Sequence, residues 1–307
     1  FCSSCGSLCS PFKSKIVRCN AYAYIIAVYM PIEVFFAVLL AAALHAGWNA
    51  LVKINAEPII AMGLIMACTT VVALAFIPFT PFPPAQMWPW LLFTLVLHFG
   101  YKVFLVKAYA QGDFGQVYPI ARGSAPVWVL LVSLVFLGAE FTPFQIIAVL
   151  LIAGGVAALS RFKRGKPLGA GFYYALITGL WIASYTMVDG YTVSQIGYVH
   201  SFVVWLFFLD GIIATVWAYR YNSQVFLASL TEYWFVAVGG GVMSMAAYWI
   251  CLWAMTQVPV AMVAALRETS VLFAALLSTY MFKEVLGRSR WFAAAFICSG
   301  LVLVKLA

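Results

Sequence analysis

Residues 260–284 read VAMVAALRETSVLFAALLSTYMFKE, an apolar run with Arg267 and Glu268 set inside it. A helix that crosses a bilayer needs roughly 20 mainly apolar residues, so Arg267 falls at membrane depth and not at an interface. An ionised side chain there costs roughly 2.5–3.5 kcal/mol on insertion scales and is tolerated where it faces a bundle interior or an aqueous cavity. It marks either a substrate or coupling-ion site or a structural ion pair between helices. Recurrence favours the site. Residues 117–140, VYPIARGSAPVWVLLVSLVFLGAE, also carry an early arginine, Arg122, and a closing glutamate, Glu140. The arginine-to-glutamate spacing is 18 positions in this copy and 17 from Arg267 to Glu284. Each glutamate precedes a few polar or turn residues and a short apolar span with a late glycine: 144–159 with Gly154 and Gly155, and 291–306 with Gly300. The copies are offset by 144 to 145 residues in a chain of 307. A repeat of that size in an apolar chain is the mark of a duplicated transporter.

Composition points the same way. The chain is 65% hydrophobic and 8% charged, against about 25% charged in soluble domains. Runs of about 20 residues with few charges specify helices, because barrel strands alternate over about 10. The net charge of +8 would suggest nucleic acid in a soluble protein. Here the basic residues are mostly in loops and there is no basic-aromatic motif, so orientation in the membrane explains them and no nucleic-acid partner is expected.

Ten spans are read: 32–54, 58–78, 90–110, 117–137, 144–160, 168–188, 198–219, 233–255, 259–282 and 291–306. A proline-rich loop covers 79–89 and a polar loop 220–232. Residues 30–160 form one five-span half and 168–307 the other, joined by the basic linker 161–167 (RFKRGKP). Five is odd, so the halves enter the membrane in opposite senses and form an inverted repeat. The fold class is therefore an all-α membrane protein of about ten helices. The basic linker and its neighbours place the central loop in the cytoplasm, although Lys13, Lys15 and Arg18 in the tail argue the other way. The pattern changes at Met30, so residues 1–29 are expected to be an extension upstream of the natural start. That tail holds Cys2, Cys5, Cys9 and Cys19. Cys2 and Cys5 have no second pair or nearby histidine to complete a zinc site, and no metal is expected.

Polar residues at membrane depth mark the candidate site. His45, Trp48, Asn49 and Lys53 share one helical face in the first span. Lys53 is read as reaching for the interface; His45 is a proton carrier or a helix-to-helix hydrogen bonder. His98, Tyr101 and Lys102 repeat the arrangement in the third span, where Lys102 needs a partner or must neutralise. Around Arg122, the residues Tyr118, Pro119, Gly123 and Pro126 suggest a broken or kinked helix lining a cavity. The second half contributes Asp210, Tyr248 and Trp249, the aromatics as candidate walls that stack on a substrate or hold a cation. The substrate-binding candidates are Arg122, Arg267, Glu268, Lys102, Trp48, Asn49, Tyr118, Tyr248 and Trp249, with His45, His98 and Asp210 for proton coupling. No metalloprotease, nucleophile-elbow, dinucleotide or Walker signature occurs, so neither enzyme chemistry nor ATP hydrolysis is expected on this chain.

The motifs taken in order resemble the EamA family of the drug/metabolite transporter superfamily. Leu137-Gly138-Ala139-Glu140 with Gly154-Gly155, Phe282-Lys283-Glu284 with Gly300, and DFGQVYPIARGSAP at 113–126 carry the resemblance, which spans about 32–307. It implies a multi-pass carrier of the bacterial inner membrane with a central cavity and alternating access, usually with cytoplasmic termini, where the loop count puts both outside. The expected function is secondary transport of a small polar metabolite, amino-acid-like or otherwise bearing an anionic group. A cationic drug exporter is the alternative within transport. A membrane subunit or lipid-flippase component is the alternative outside it. Partners are the substrate and membrane lipids, as a monomer or homodimer, with no cofactor.

Overall fold

The computed structural model describes residues 30–52, 57–111, 114–136, 141–158, 169–273, 277 and 288–306, and every regular element among them is helical. The cysteine-bearing tail, Lys53, Glu140, the linker 161–167 and Glu284 lie outside the described residues, as does the side chain of Tyr118. The first half holds α1 (Ile32–Val52), α2 (Pro58–Phe76), α3 (Trp88–Gln111), α4 (Phe114–Phe136) and α5 (Pro143–Ala158). The second holds α6 (Ala170–Gln195), α7 (Val199–Tyr221), α8 (Ser223–Glu232), α9 (Trp234–Met255), α10 (Val260–Arg267) and α11 (Arg288–Leu306). By length and apolarity alone, five of these described helices can cross a membrane. Phe36, Leu40, Val71, Leu74, Val96 and Val135 point outward and exposed, a surface that suits lipid and not water.

Three departures from the expected spans follow from local chemistry. The polar loop at 220–232 contains α8, because the Asn222 side chain accepts a hydrogen bond from the Val225 amide at 3.1 Å and caps a new helix. α4 runs unbroken through Pro119 and Pro126, so of the broken or kinked helix expected there the break does not occur. The break falls in the other copy: α10 stops at Arg267, Glu268 and Thr269 form a turn, and helix resumes at Ser270. The amides there reach back three residues, Glu268 N to Ala265 O and Thr269 N to Leu266 O, both at 3.1 Å.

The packing obeys the duplication. α2 lies against α7 and α5 against α11, each helix meeting its own counterpart, while α3 on α6 is matched by α9 on α1. The contacts mirror one another atom by atom. A Cβ added at Gly155 would fall 2.7 Å from Ile297 and 2.9 Å from the Ala293 carbonyl; one at Gly300 would fall 2.5 Å from Ile152 and 2.9 Å from the Ala148 carbonyl. These three pairs of positions differ by 145 residues, the offset of the sequence repeat. Gly63 against Ala218 and Gly211 against Thr70 do the same where α2 crosses α7. Bare glycine lets two helices approach this closely without a hydrophobic drive between them.

Candidate functional site

A cavity of about 70 Å³ lies where the halves meet. Its first-half wall is His45 and Trp48 of α1, Met62 and Met66 of α2, and His98, Tyr101 and Lys102 of α3. Its second-half wall is Tyr185 of α6, Leu206, Phe207 and Asp210 of α7, and Ser244 and Tyr248 of α9. The helical spacing of His98, Tyr101 and Lys102 turns all three inward, as the sequence pattern requires.

Lys102 has the partner that its depth demands. Its Nζ lies 2.6 and 2.8 Å from the two oxygens of Asp210, and both residues are buried. Nearby, Asp189 is fully buried and accepts hydrogen bonds from the hydroxyls of Thr94 and Tyr248, while His98 Nε2 sits 3.1 Å from its Oδ2. The His98 ring stacks on Tyr185 with centroids 4.2 Å apart. The sequence shows Asp189 beside Trp181 and Tyr185 in the sixth span, without marking it as a site residue. α6 continues to Gln195 and so holds Asp189 roughly 9 Å inside its end, at 1.5 Å per residue.

Trp48 donates its indole N–H to His45 Nδ1 at 3.2 Å. An indole has only a donor, so Nδ1 keeps its lone pair and His45 is a neutral ring protonated at Nε2. Asn49, beside them, donates to the His45 carbonyl at 2.7 Å within its own helix and does not line the cavity. Trp249 is also elsewhere: its indole donates to His200 Nδ1 at 2.9 Å and its ring meets Phe76 edge-on.

Both arginines are drawn away from lipid into one ion cluster. Glu268 takes Arg122 Nε at 3.2 Å on one oxygen and Arg267 Nε at 3.9 Å on the other. Arg122 Nη2 lies 3.5 Å from Ser270 Oγ, and Arg267 Nη2 the same distance from Thr186 Oγ1. The cluster thereby ties α4, α6 and the broken α10 together, and all its members are buried. Neither arginine lines the cavity. Tyr185 stands between: it lines the cavity and lies within electrostatic reach of Arg267, Arg122, Glu268 and Asp189.

The model of the EamA-like transporter family matches residues 32–161 and again 169–306. The chain belongs to the EamA-like transporter family. The two matches are the two halves of the fold, so the cavity of this EamA-like protein sits between its repeats. No match was found among curated proteins. Among solved structures 29 chains match. One of them, described only as "Crystal structure of protein", covers 89% of this chain and 96% of its own, with a TM-score of 0.68 at 15% identity. That likeness supports the EamA-like fold and says nothing of its substrate.

Proposed function

We propose that this EamA-like transporter is a secondary carrier that moves a small polar metabolite, amino-acid-like or otherwise bearing an anionic group, across the bacterial inner membrane by alternating access. One observation carries the reading: a cavity whose walls come from both repeats and which holds a cation and an anion side by side, Lys102 and Asp210. Substrate sites of inverted-repeat carriers belong at such an interface. At about 70 Å³ the cavity has room for several waters but is smaller than the roughly 300–1,000 Å³ of typical ligand sites. Loading therefore requires the repeats to part. On entry, the anionic group of the substrate takes Lys102, and Trp48 and Tyr248 pack on its apolar body. Arg122 and Arg267 do not line the cavity and act through the helices that they tie together around Glu268.

The test is uptake by the reconstituted protein of labelled amino acids and dicarboxylates. Lys102→Gln removes a charge-assisted hydrogen bond, worth roughly 1.5–3 kcal/mol. It is expected to weaken substrate affinity about 10- to 100-fold while the protein still inserts and purifies. Unchanged uptake by that variant would sink the assignment. The aromatic lining favours one competitor, a cationic substrate held on ring faces. Inhibition by organic cations and not by anions would select it.

A further inference from the structure

We propose that His98 and Asp189 form the proton-binding site of this protein, through which a pH gradient drives it. Two independent features point there. The first is geometry. His98 borders the cavity while Asp189 behind it is wholly buried, and the two meet at 3.1 Å. With Nε2–H donated to the carboxylate, Nδ1 is the nitrogen that takes a proton from cavity water. The imidazolium so formed is neutralised across the same contact. Thr94 and Tyr248 point hydroxyl hydrogens at Asp189, so its oxygens are met by hydrogen-bond donors on both sides of the histidine contact.

The second feature is the charge balance of the interior. Among the described residues the buried cations are Lys102, Arg122 and Arg267, and the buried carboxylates are Asp189, Asp210 and Glu268. These cancel when the histidines are neutral. Lys102 is matched by Asp210, and the arginines share Glu268. Asp189 is the remaining anion of this described set. One proton on His98 adds a single positive charge to that set, which a monoanionic substrate offsets. Proton and anion thus enter together at lower cost than either alone, because a lone charge in this medium is expensive. His45 is excluded from the role by the indole N–H that occupies its Nδ1. The other groups facing the pair are Tyr185 on its own helix, Lys102 on α3, Asp210 on α7 and Tyr248 on α9. Behind Tyr185 lie Arg122 on α4 and Arg267 and Glu268 on α10.

The coupling role rests on the transport reading above, so two measurements separate them. First, the full chain in liposomes is given a labelled mixture of the common amino acids and dicarboxylates under a pH gradient of about one unit. A carrier moving one proton per substrate accumulates it about tenfold on that gradient. Asp189→Asn is expected to lose the accumulation while still exchanging labelled for unlabelled substrate without a gradient, and His98→Gln is expected to lose the accumulation. Wild-type accumulation in either variant, or driving by sodium in place of protons, overturns the proposal. Second, nitrogen NMR of labelled histidine follows His98 in the detergent-solubilised protein without any substrate. Acidification is expected to put a second proton on the wild-type ring, and Asp189→Asn is expected to change that response. A ring that takes up no proton, or responds identically in that variant, overturns the site. A wild type that moves none of the mixture overturns the transport reading, while the titration still decides the site.

Discussion

Glu268 is the residue on which the most buried charge converges. It is fully buried and stands between two guanidinium groups from opposite halves of the chain. Removing one member of a buried ion group costs about 3–5 kcal/mol, because the charge left behind has neither water nor partner. Glu268→Gln takes the shared carboxylate from two cations at once. Its apparent melting temperature in detergent is expected to fall further than that of Arg267→Met, which leaves Arg122 and Glu268 as a pair. Equal losses would show that the carboxylate is not the shared partner. Arg122, Arg267 and Lys102 were legible in the sequence because any charge stands out against an apolar run. Their partners were not. Glu268 adjoins Arg267 but serves Arg122 from the other copy, and Asp210 lies 108 positions from Lys102. Asp189 is visible in the sixth span, but its partners Thr94, His98 and Tyr248 are not, and Asn49 and Trp249 read as pocket residues because spacing tells which residues share a face, not what that face meets.

At the scale of elements, the existence and order of the membrane helices could be read from hydropathy alone, and the inverted pairing from the odd number per half. The site of the helix break could not. Proline suggested α4, yet that helix is continuous, and Gly123 brings it within contact of α5, a Cβ there falling 3.1 Å from the Ala153 carbonyl. In α10 no proline interrupts the run. The turn at Glu268–Thr269 coincides with the side chain that reaches for Arg122, a contact that local propensity does not encode. The glycines of α5 give a controlled test of helix proximity. Gly155→Ala must displace Ile297 or the α11 backbone and is expected to destabilise by about 1–3 kcal/mol, with Gly300→Ala matching it. Gly154→Ala meets open space and is expected to leave stability unchanged or raise it by up to about 1 kcal/mol. Thermal unfolding of the three variants in one detergent compares them directly.

For the molecule as a whole, the cavity has one wall from each repeat, so a ligand seated there joins the two. A compound that binds the folded protein raises its stability by about 2.7 kcal/mol at a hundred times its dissociation constant. A panel of amino acids, dicarboxylates and organic cations is therefore expected to raise the apparent melting temperature for one chemical class only. That rise should be lost in Asp210→Asn if the carboxylate takes part in recognition, and kept if the aromatic walls suffice.

The seam between α5 and α11 has a consequence for how such a chain can change over time. Because Gly155 meets Ile297 and the Ala293 carbonyl, and Gly300 meets Ile152 and the Ala148 carbonyl, a bulkier side chain in either copy requires a side chain or the backbone of the other to shift. Accommodation always crosses the duplication, so neither copy can drift alone. The same reciprocity means that two polypeptides made by cutting the linker would still present matching faces to each other.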